Sequence, residues 1–482
     1  MNYRMIVQVI SYILRLEAAL LLPSLMIAVV RSENTVVAFI AAIIILLAVS
    51  SVSLFLKPET KTIYAREGFV IVAASWILMS FFGALPAYFS GYIPSFVDSL
   101  FESASGLTTT GSSILKDIEI LPRSLLFWRS FSHWVGGMGV LVFMMAIMPL
   151  AGGRSMHIMR AEGQAPNVGK LVPKIKNSAM ILYGMYIFLT VLLFVLLLAG
   201  DMPVFDSLCH AFATAGTGGF SIKNASIAHY NSPYIQWVIS IFMVVFSINF
   251  NLYYLLLMGQ FRRVFKNEEL LIFLSIVLVS TAVVALNILP ILGGGTLALR
   301  ESFFQVTSVM STSGFATTDF NLWPEFSRSL LMMLMFVGAC AGSTGGGFKV
   351  ARLIIITRSI RNEIKKMLHP RSVSAVKLEG KPVEKDTVMS VYAFVGAYAI
   401  IASVSVLLIS LDNFDFTTTI TTVVSCLSNI GPGLGLVGPS GSFAGYSAFS
   451  KLVLIMDMLT GRLEIFPMIM LFSPSVWRRS LR

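Results

Sequence analysis

Apolar stretches of about 20 residues recur from one end of this 482-residue chain to the other, and that is the length an α-helix needs to cross a hydrocarbon core of about 30 Å. No other feature narrows the fold so far. In such a medium each backbone N–H and C=O must find its partner within the protein, which admits helices or closed barrels and little else. Runs this long, without alternation of polar and apolar residues, read as helices. Composition agrees: 56% of the residues are hydrophobic and 12% charged, where a soluble chain carries about 25% charged residues. The chain is therefore read as an all-α integral membrane protein. Its net charge of +11 is assigned to Lys- and Arg-rich cytoplasmic loops rather than to nucleic-acid binding. The first run, Met5 to Val30, is too long for a signal peptide and lacks a small-residue cleavage pattern, so it reads as a retained helix.

A second feature organises the runs. Four glycine turns lie roughly a hundred residues apart: Thr109-Thr110-Gly111-Ser112, Gly216-Thr217-Gly218-Gly219, Thr312-Ser313-Gly314-Phe315 and Asn429-Ile430-Gly431-Pro432-Gly433. Each follows a short segment and stands between two long apolar spans. The units read as 67–91 and 124–150 around Asp98 to Thr109; 177–200 and 233–258 around Asp206 to Gly216; 268–292 and 327–357 around Glu301 to Thr312; and 388–411 and 446–472 around Asp415 to Asn429. Two earlier spans, 5–30 and 35–56, carry no such turn and form an added hairpin. The expected divisions are 1–60 for the hairpin and 61–160, 161–265, 266–365 and 366–482 for the four units.

As helices the short segments are about 16–21 Å long, too short to cross. They are expected to dip in and stop part-way, with an acidic residue opening each of the first three at the positive end of the helix dipole and the negative end aimed at a shared centre. Loop charge supports leaving them uncounted as spans. On one side fall Lys57, Lys61, Arg66, Arg154, Arg160, Lys170, Lys174, Lys176, Arg262, Arg263 and Lys266. The same side takes the Lys- and Arg-rich stretch from Arg358 to Lys385, and Arg478, Arg479 and Arg482. The other side holds few cations, such as Arg31, Lys116, Arg123, Lys223 and Arg300. The first set marks the cytoplasm, and ten spans place both termini there.

Stripping water from a large monovalent cation takes several oxygens at a fixed radius, which backbone carbonyls can supply. Glycine tolerates the backbone angles needed to line them up, and its lack of a side chain keeps the path open. Taken singly, a TxG turn is an ordinary helix C-cap. Four at matched positions point to a common ion path with its ligands at Thr110 and Gly111, Thr217 and Gly218, Ser313 and Gly314, and Ile430 and Gly431. Cys209, Cys340 and Cys426 form neither a disulfide framework nor a metal pattern, and the five histidines show no paired metal spacing. No paired catalytic residues stand in the spans, so the chain is not read as an enzyme.

The chain resembles the Trk/Ktr/HKT superfamily of cation transporters, and is most similar to TrkH-type potassium uptake subunits. The resemblance rests on residues 66–69 (REGF), 83–86 (GALP), 108–111 (TTTG), 133–139 (HWVGGMG), 218–221 (GGFS), 429–433 (NIGPG) and 461–464 (GRLE). It covers essentially the whole chain, including the N-terminal hairpin. The resemblance implies four parallel repeats of span, pore helix and span around a pseudo-fourfold pore. Glycine at position 111 and in the other turns implies potassium as the transported ion, with no organic cofactor. The implied setting is the bacterial cytoplasmic membrane, with this chain as a homodimer that works with cytosolic TrkA-like nucleotide-binding subunits. The basic loops 154–176 and 352–385 are candidate contacts for those subunits or for anionic lipid.

One second span is interrupted by Gly345-Gly346-Gly347, each weakening a helix by roughly 1 kcal/mol relative to alanine. Phe348 stands where a phosphate-binding GxxxxGK loop needs its lysine. The stretch is either a small-residue packing surface or, as the resemblance implies, an intramembrane loop that gates the pore. Arg462, inside the last span, needs water or a partner, with Asp457 and Glu464 as candidates; the resemblance makes it an electrostatic barrier below the filter. Asn249 either lines the same cavity or pairs between helices. The alternative functional reading is a sodium- or proton-coupled potassium symporter, though the repeats read as parallel rather than inverted.

Overall fold

A computed structural model describes residues 1–54, 65–147, 175–372 and 375–477. The expected divisions at 60/61 and 160/161 lie outside them, as do Lys57, Lys61, Arg154, Arg160, Lys170, Lys174, Arg478, Arg479 and Arg482. Among the described residues the fold is all-α apart from a two-residue hairpin pairing Lys377–Leu378 with Lys381–Pro382. Among the described residues five helices are long and apolar enough to cross a membrane, and a bent pair taken as one span makes a sixth.

The N-terminal hairpin comprises Tyr3–Leu20 and Leu22–Val30, which together make one crossing, and Val36–Ser51. It is bolted to the first unit through Glu33. That carboxylate accepts the N–H groups of Arg123 at 3.0 Å and Ser124 at 3.1 Å, two of the donors a helix start leaves without an internal partner. Negative charge there also suits the positive end of the helix dipole.

Each unit has a long first helix: Ala65–Gly83, Ile175–Ala199, Glu268–Leu292 and Lys385–Ile409. Each has a short second one: Phe96–Leu107, Val204–Ala215, Gly295–Met310 and Phe416–Leu427. The short helix of the third unit begins at Gly295, so Glu301 lies mid-helix instead of at the positive end of the dipole. Asp98 and Asp206 do fall in their helices' first turns, and Asp415 caps the fourth by accepting the Thr418 N–H at 2.9 Å.

The units differ most in their second spans. In the first, Arg123–Ile147 is one helix. The second splits into Pro233–Ser247 and Phe250–Leu257, bent by 91°. The third splits into Glu325–Met335 and Val350–Leu368 with residues 336–349 between them, and the fourth into Ala448–Arg462 and Phe466–Phe472. The sequence predicted the third break alone. Broken helices at such depth survive only if the freed backbone groups are satisfied by protein, and the second and third breaks bond to each other. Across the second and third breaks Cys340 donates its N–H to Ser247 at 3.1 Å, Phe250 to Gly342 at 3.0 Å and Thr344 to Phe246 at 3.4 Å. Asn249 is buried against the third unit's loop, where a methyl on Gly342 would meet its Oδ1 at 2.9 Å. It caps the second half-helix, its side chain accepting the Asn251 N–H at 2.9 Å.

Candidate functional site

The four short helices end alike. In each, one residue after the cap takes a left-handed conformation: Thr109 (φ 53°), Thr217 (φ 54°), Thr312 (φ 58°) and Asn429 (φ 56°). The next residue turns its N–H back onto the helix, Thr110 to Ser105, Gly218 to Ala213, Ser313 to Ser308 and Ile430 to Ser425, each at 2.9 Å. This is the hydrogen-bonded closure that commonly follows a left-handed cap. Glycine is its usual occupant. A β-branched threonine there costs on the order of 1–3 kcal/mol, strain that persists only where the surroundings impose it.

Then comes a second left-handed residue: Gly111 (φ 81°), Gly219 (φ 75°), Gly314 (φ 75°) and Gly431 (φ 104°). The pattern corrects the sequence register of the second turn. Gly219, not Gly218, occupies the position of Gly111, and Gly218 occupies that of Thr110, with Thr217 one place further back. A doubled glycine made the sequence alignment ambiguous by one residue; the backbone angles resolve it.

These glycines form a closed ring. A methyl group on Gly111 would stand 2.0 Å from the Gly218 carbonyl oxygen, and one on Gly219 1.8 Å from that of Ser313. One on Gly314 would stand 2.0 Å from that of Ile430, and one on Gly431 2.8 Å from that of Thr110. The order runs first to second to third to fourth and back to first, so the turns surround one axis. Each glycine faces the preceding carbonyl of its neighbour, and any side chain would drive into that oxygen. Thr110, Thr217, Ser313 and Ile430 are all fully buried.

Residues 336–349 pack beneath the third and fourth turns. Gly346 donates its N–H to the Thr312 hydroxyl at 2.7 Å. A methyl on Gly346 would meet the Ser428 carbonyl oxygen at 2.8 Å, and one on Gly345 the Ser311 oxygen at 3.0 Å. Gly347 (φ 70°) is left-handed, so its place requires glycine. The Lys349 ammonium donates to the carbonyls of Gly345 and Gly346. Glu269 links the loop to the helix after it, its Oε1 accepting the N–H of Ala341 at 2.7 Å and of Ala351 at 3.2 Å.

Arg462 is buried against this loop, but neither expected carboxylate holds it. Glu464 pairs with Arg352 at 2.9 Å, and Asp457 accepts from the Ser405 hydroxyl at 2.7 Å. The guanidinium instead donates to two carbonyl oxygens, Thr344 at 2.9 Å and Gly136 at 3.0 Å. It ties the loop to the unbroken second span of the first unit.

His133 opens the stretch 133–139. Its Nδ1 meets the Gly106 carbonyl at 2.7 Å and its Nε2 accepts the Phe220 N–H at 3.2 Å. One tautomer, with the proton on Nδ1, satisfies both bonds and clamps the first turn to the second. A methyl on Gly218 would lie 2.4 Å from this ring. Nothing local in the sequence signals that contact, since 85 residues separate His133 from Gly218.

The four short helices thus end at one ring in which each glycine meets a neighbour's carbonyl, with residues 336–349 packed against the third and fourth turns. The cation transport protein family TrkH matches this chain over residues 35–479. The chain belongs to the TrkH family. Among curated relatives, the Trk system potassium uptake protein TrkH of Salmonella typhimurium is 36% identical over 487 residues, covering 99% of this chain and 100% of the relative. TrkH of Escherichia coli is 34% identical with the same coverage, and TrkG of E. coli 30% identical over 99% of each chain. The crystal structure of the potassium transporter TrkH from Vibrio parahaemolyticus superposes with a TM-score of 0.90 at 32% identity, covering 99% of this chain and 100% of that one. As a TrkH-family member this chain is an all-α, multi-pass membrane transporter rather than an enzyme.

Proposed function

We propose that this chain takes up potassium through a filter of backbone carbonyls at Thr110–Gly111, Gly218–Gly219, Ser313–Gly314 and Ile430–Gly431. The closed ring of glycine-to-carbonyl approaches carries the reading. Potassium is the cargo because the relatives are named as potassium uptake proteins and because all four ring positions are glycine. The negative ends of four short helices face the ring, which favours a cation. Gly345, Gly346 and Gly347 form the gate below it, with the Lys349 ammonium among their carbonyls and Arg462 as a fixed positive barrier.

The "Trk system" in the relatives' names supports operation with further subunits. The family resemblance supports cytosolic TrkA-like nucleotide-binding rings as those subunits, a homodimer with one pore per chain, a bacterial cytoplasmic membrane and cytoplasmic termini. Of the candidate subunit contacts, loop 154–176 has no described side chain; the other begins on the helix Val350–Leu368, with Arg361, Lys365 and Lys366 exposed.

The test is cation flux in proteoliposomes. Wild-type protein should carry potassium in preference to sodium, and Gly111→Ser should lower that preference, because the side chain must push the Gly218 oxygen from its place. Absence of potassium flux, or a preference untouched by Gly111→Ser, overturns the reading.

A further inference from the structure

The ring approaches are to backbone oxygens, and the side chains that hold those turns lie behind them. Seven residues before the left-handed cap in each short helix stand Glu102, His210, Gln305 and Thr422. All four are buried. Three of them reach across their own turn to the chain leaving it. Glu102 accepts the Ile114 N–H at 3.0 Å and the Ser113 hydroxyl at 2.9 Å, and is itself paired with Arg129 at 2.7 Å. His210 gives its Nδ1 proton to the Asp206 carbonyl at 2.8 Å, which leaves Nε2 to accept the Ser221 hydroxyl at 3.0 Å. Gln305 donates through Nε2 to the Thr317 hydroxyl at 3.3 Å, and Thr317 donates onward to Glu301. In the fourth unit the neighbouring Thr421 takes this part, accepting the Leu434 N–H at 3.0 Å, while Thr422 meets the Tyr446 hydroxyl at 2.7 Å.

The braced residues lie two or three places beyond Gly111, Gly219, Gly314 and Gly431. We propose that Glu102, His210, Gln305 and Thr421 are positioning residues for ion preference, holding the outer mouth of the carbonyl ring open at the radius of the larger cation. The inference rests on the filter reading above. Sodium is smaller, so the ring must draw inward to replace its water. Each brace anchors the exit chain to a rigid helix and resists that collapse. The four chemistries are unlike, a paired carboxylate, an imidazole, an amide and a hydroxyl, so the ring is not uniformly stiff. The amide of the third unit, with a single long bond, is the weakest brace.

The experiment measures the potassium-to-sodium flux ratio for Gln305→Leu, Thr317→Val and their double variant, alongside Gly111→Ser. Loss of one buried hydrogen bond should lower the ratio about fivefold while potassium flux continues and the melting temperature holds. The double variant should be no worse than the worse single one, because both act on one bond. Glu102→Gln, which keeps an acceptor for Ile114, should retain more preference than Glu102→Leu. Where a helix variant fails to accumulate, Ser221→Ala and Thr317→Val remove the same braces from the exit chain. An unchanged ratio in folded Gln305→Leu and Thr317→Val, with Gly111→Ser altered, overturns the brace and leaves the filter standing. An unchanged ratio in all of them removes the filter reading as well.

Discussion

The second spans of the first and third units are both rich in glycine, and they use it in opposite ways. In Arg123–Ile147 the glycines let an intact helix press against the turns. A methyl on Gly136 would lie 1.9 Å from the Leu107 carbonyl oxygen, and one on Gly137 2.7 Å from the Gly216 Cα. In the third unit Gly345, Gly346 and Gly347 lie within the non-helical stretch 336–349, and Lys349 donates to the carbonyls of the first two. The difference is one of partners. Around Gly136 the helix keeps its own hydrogen bonds and the missing side chains give closeness. Around Gly345 the backbone bonds run outward, to Thr312, Phe246 and Ser247. One region is an intact helix and the other an irregular loop, and Arg462 joins them through Gly136 and Thr344.

The comparison breaks most visibly at the intact helix. Gly136→Leu should cost more than about 3 kcal/mol, since overpacking against a backbone oxygen cannot be relieved by a rotamer change. The expected outcome is little folded protein by size-exclusion chromatography, and a well-folded variant would show that the helix gives way. At the loop, removing one of Gly345, Gly346 or Gly347 should raise cation flux severalfold while leaving the potassium-to-sodium ratio as it was. A changed ratio with unchanged flux would move the loop's role from gate to filter. Arg462→Gln should have the smallest effect of the three. It removes a charge below the ring and weakens two bonds to carbonyls worth about 1–3 kcal/mol each when left unmet. Single-channel conductance should rise with the protein still folded; collapse without conducting protein would make Arg462 a strut alone.

Much of this architecture is written locally. Runs of about 20 apolar residues make crossings, and three adjacent glycines mark a stretch that is not helical, though the helix before them already ends at Met335. The recurrence of turns every hundred or so residues announces a repeated unit, because a turn is closed by hydrogen bonds spanning only six residues, as from Thr110 to Ser105. Other features depend on residues distant in the chain. The break at Ser247-Ile248-Asn249 contains neither glycine nor proline, and it exists because residues 340–344 supply its hydrogen bonds. The position of Gly219 in the ring, the partners of Arg462 and the clamp of His133 also follow from contacts made only when the units close around one axis. Backbone hydrogen bonds within a turn are chosen by neighbours in sequence; those freed at a break, and the charges buried beside it, are met by whichever chain the tertiary structure brings there.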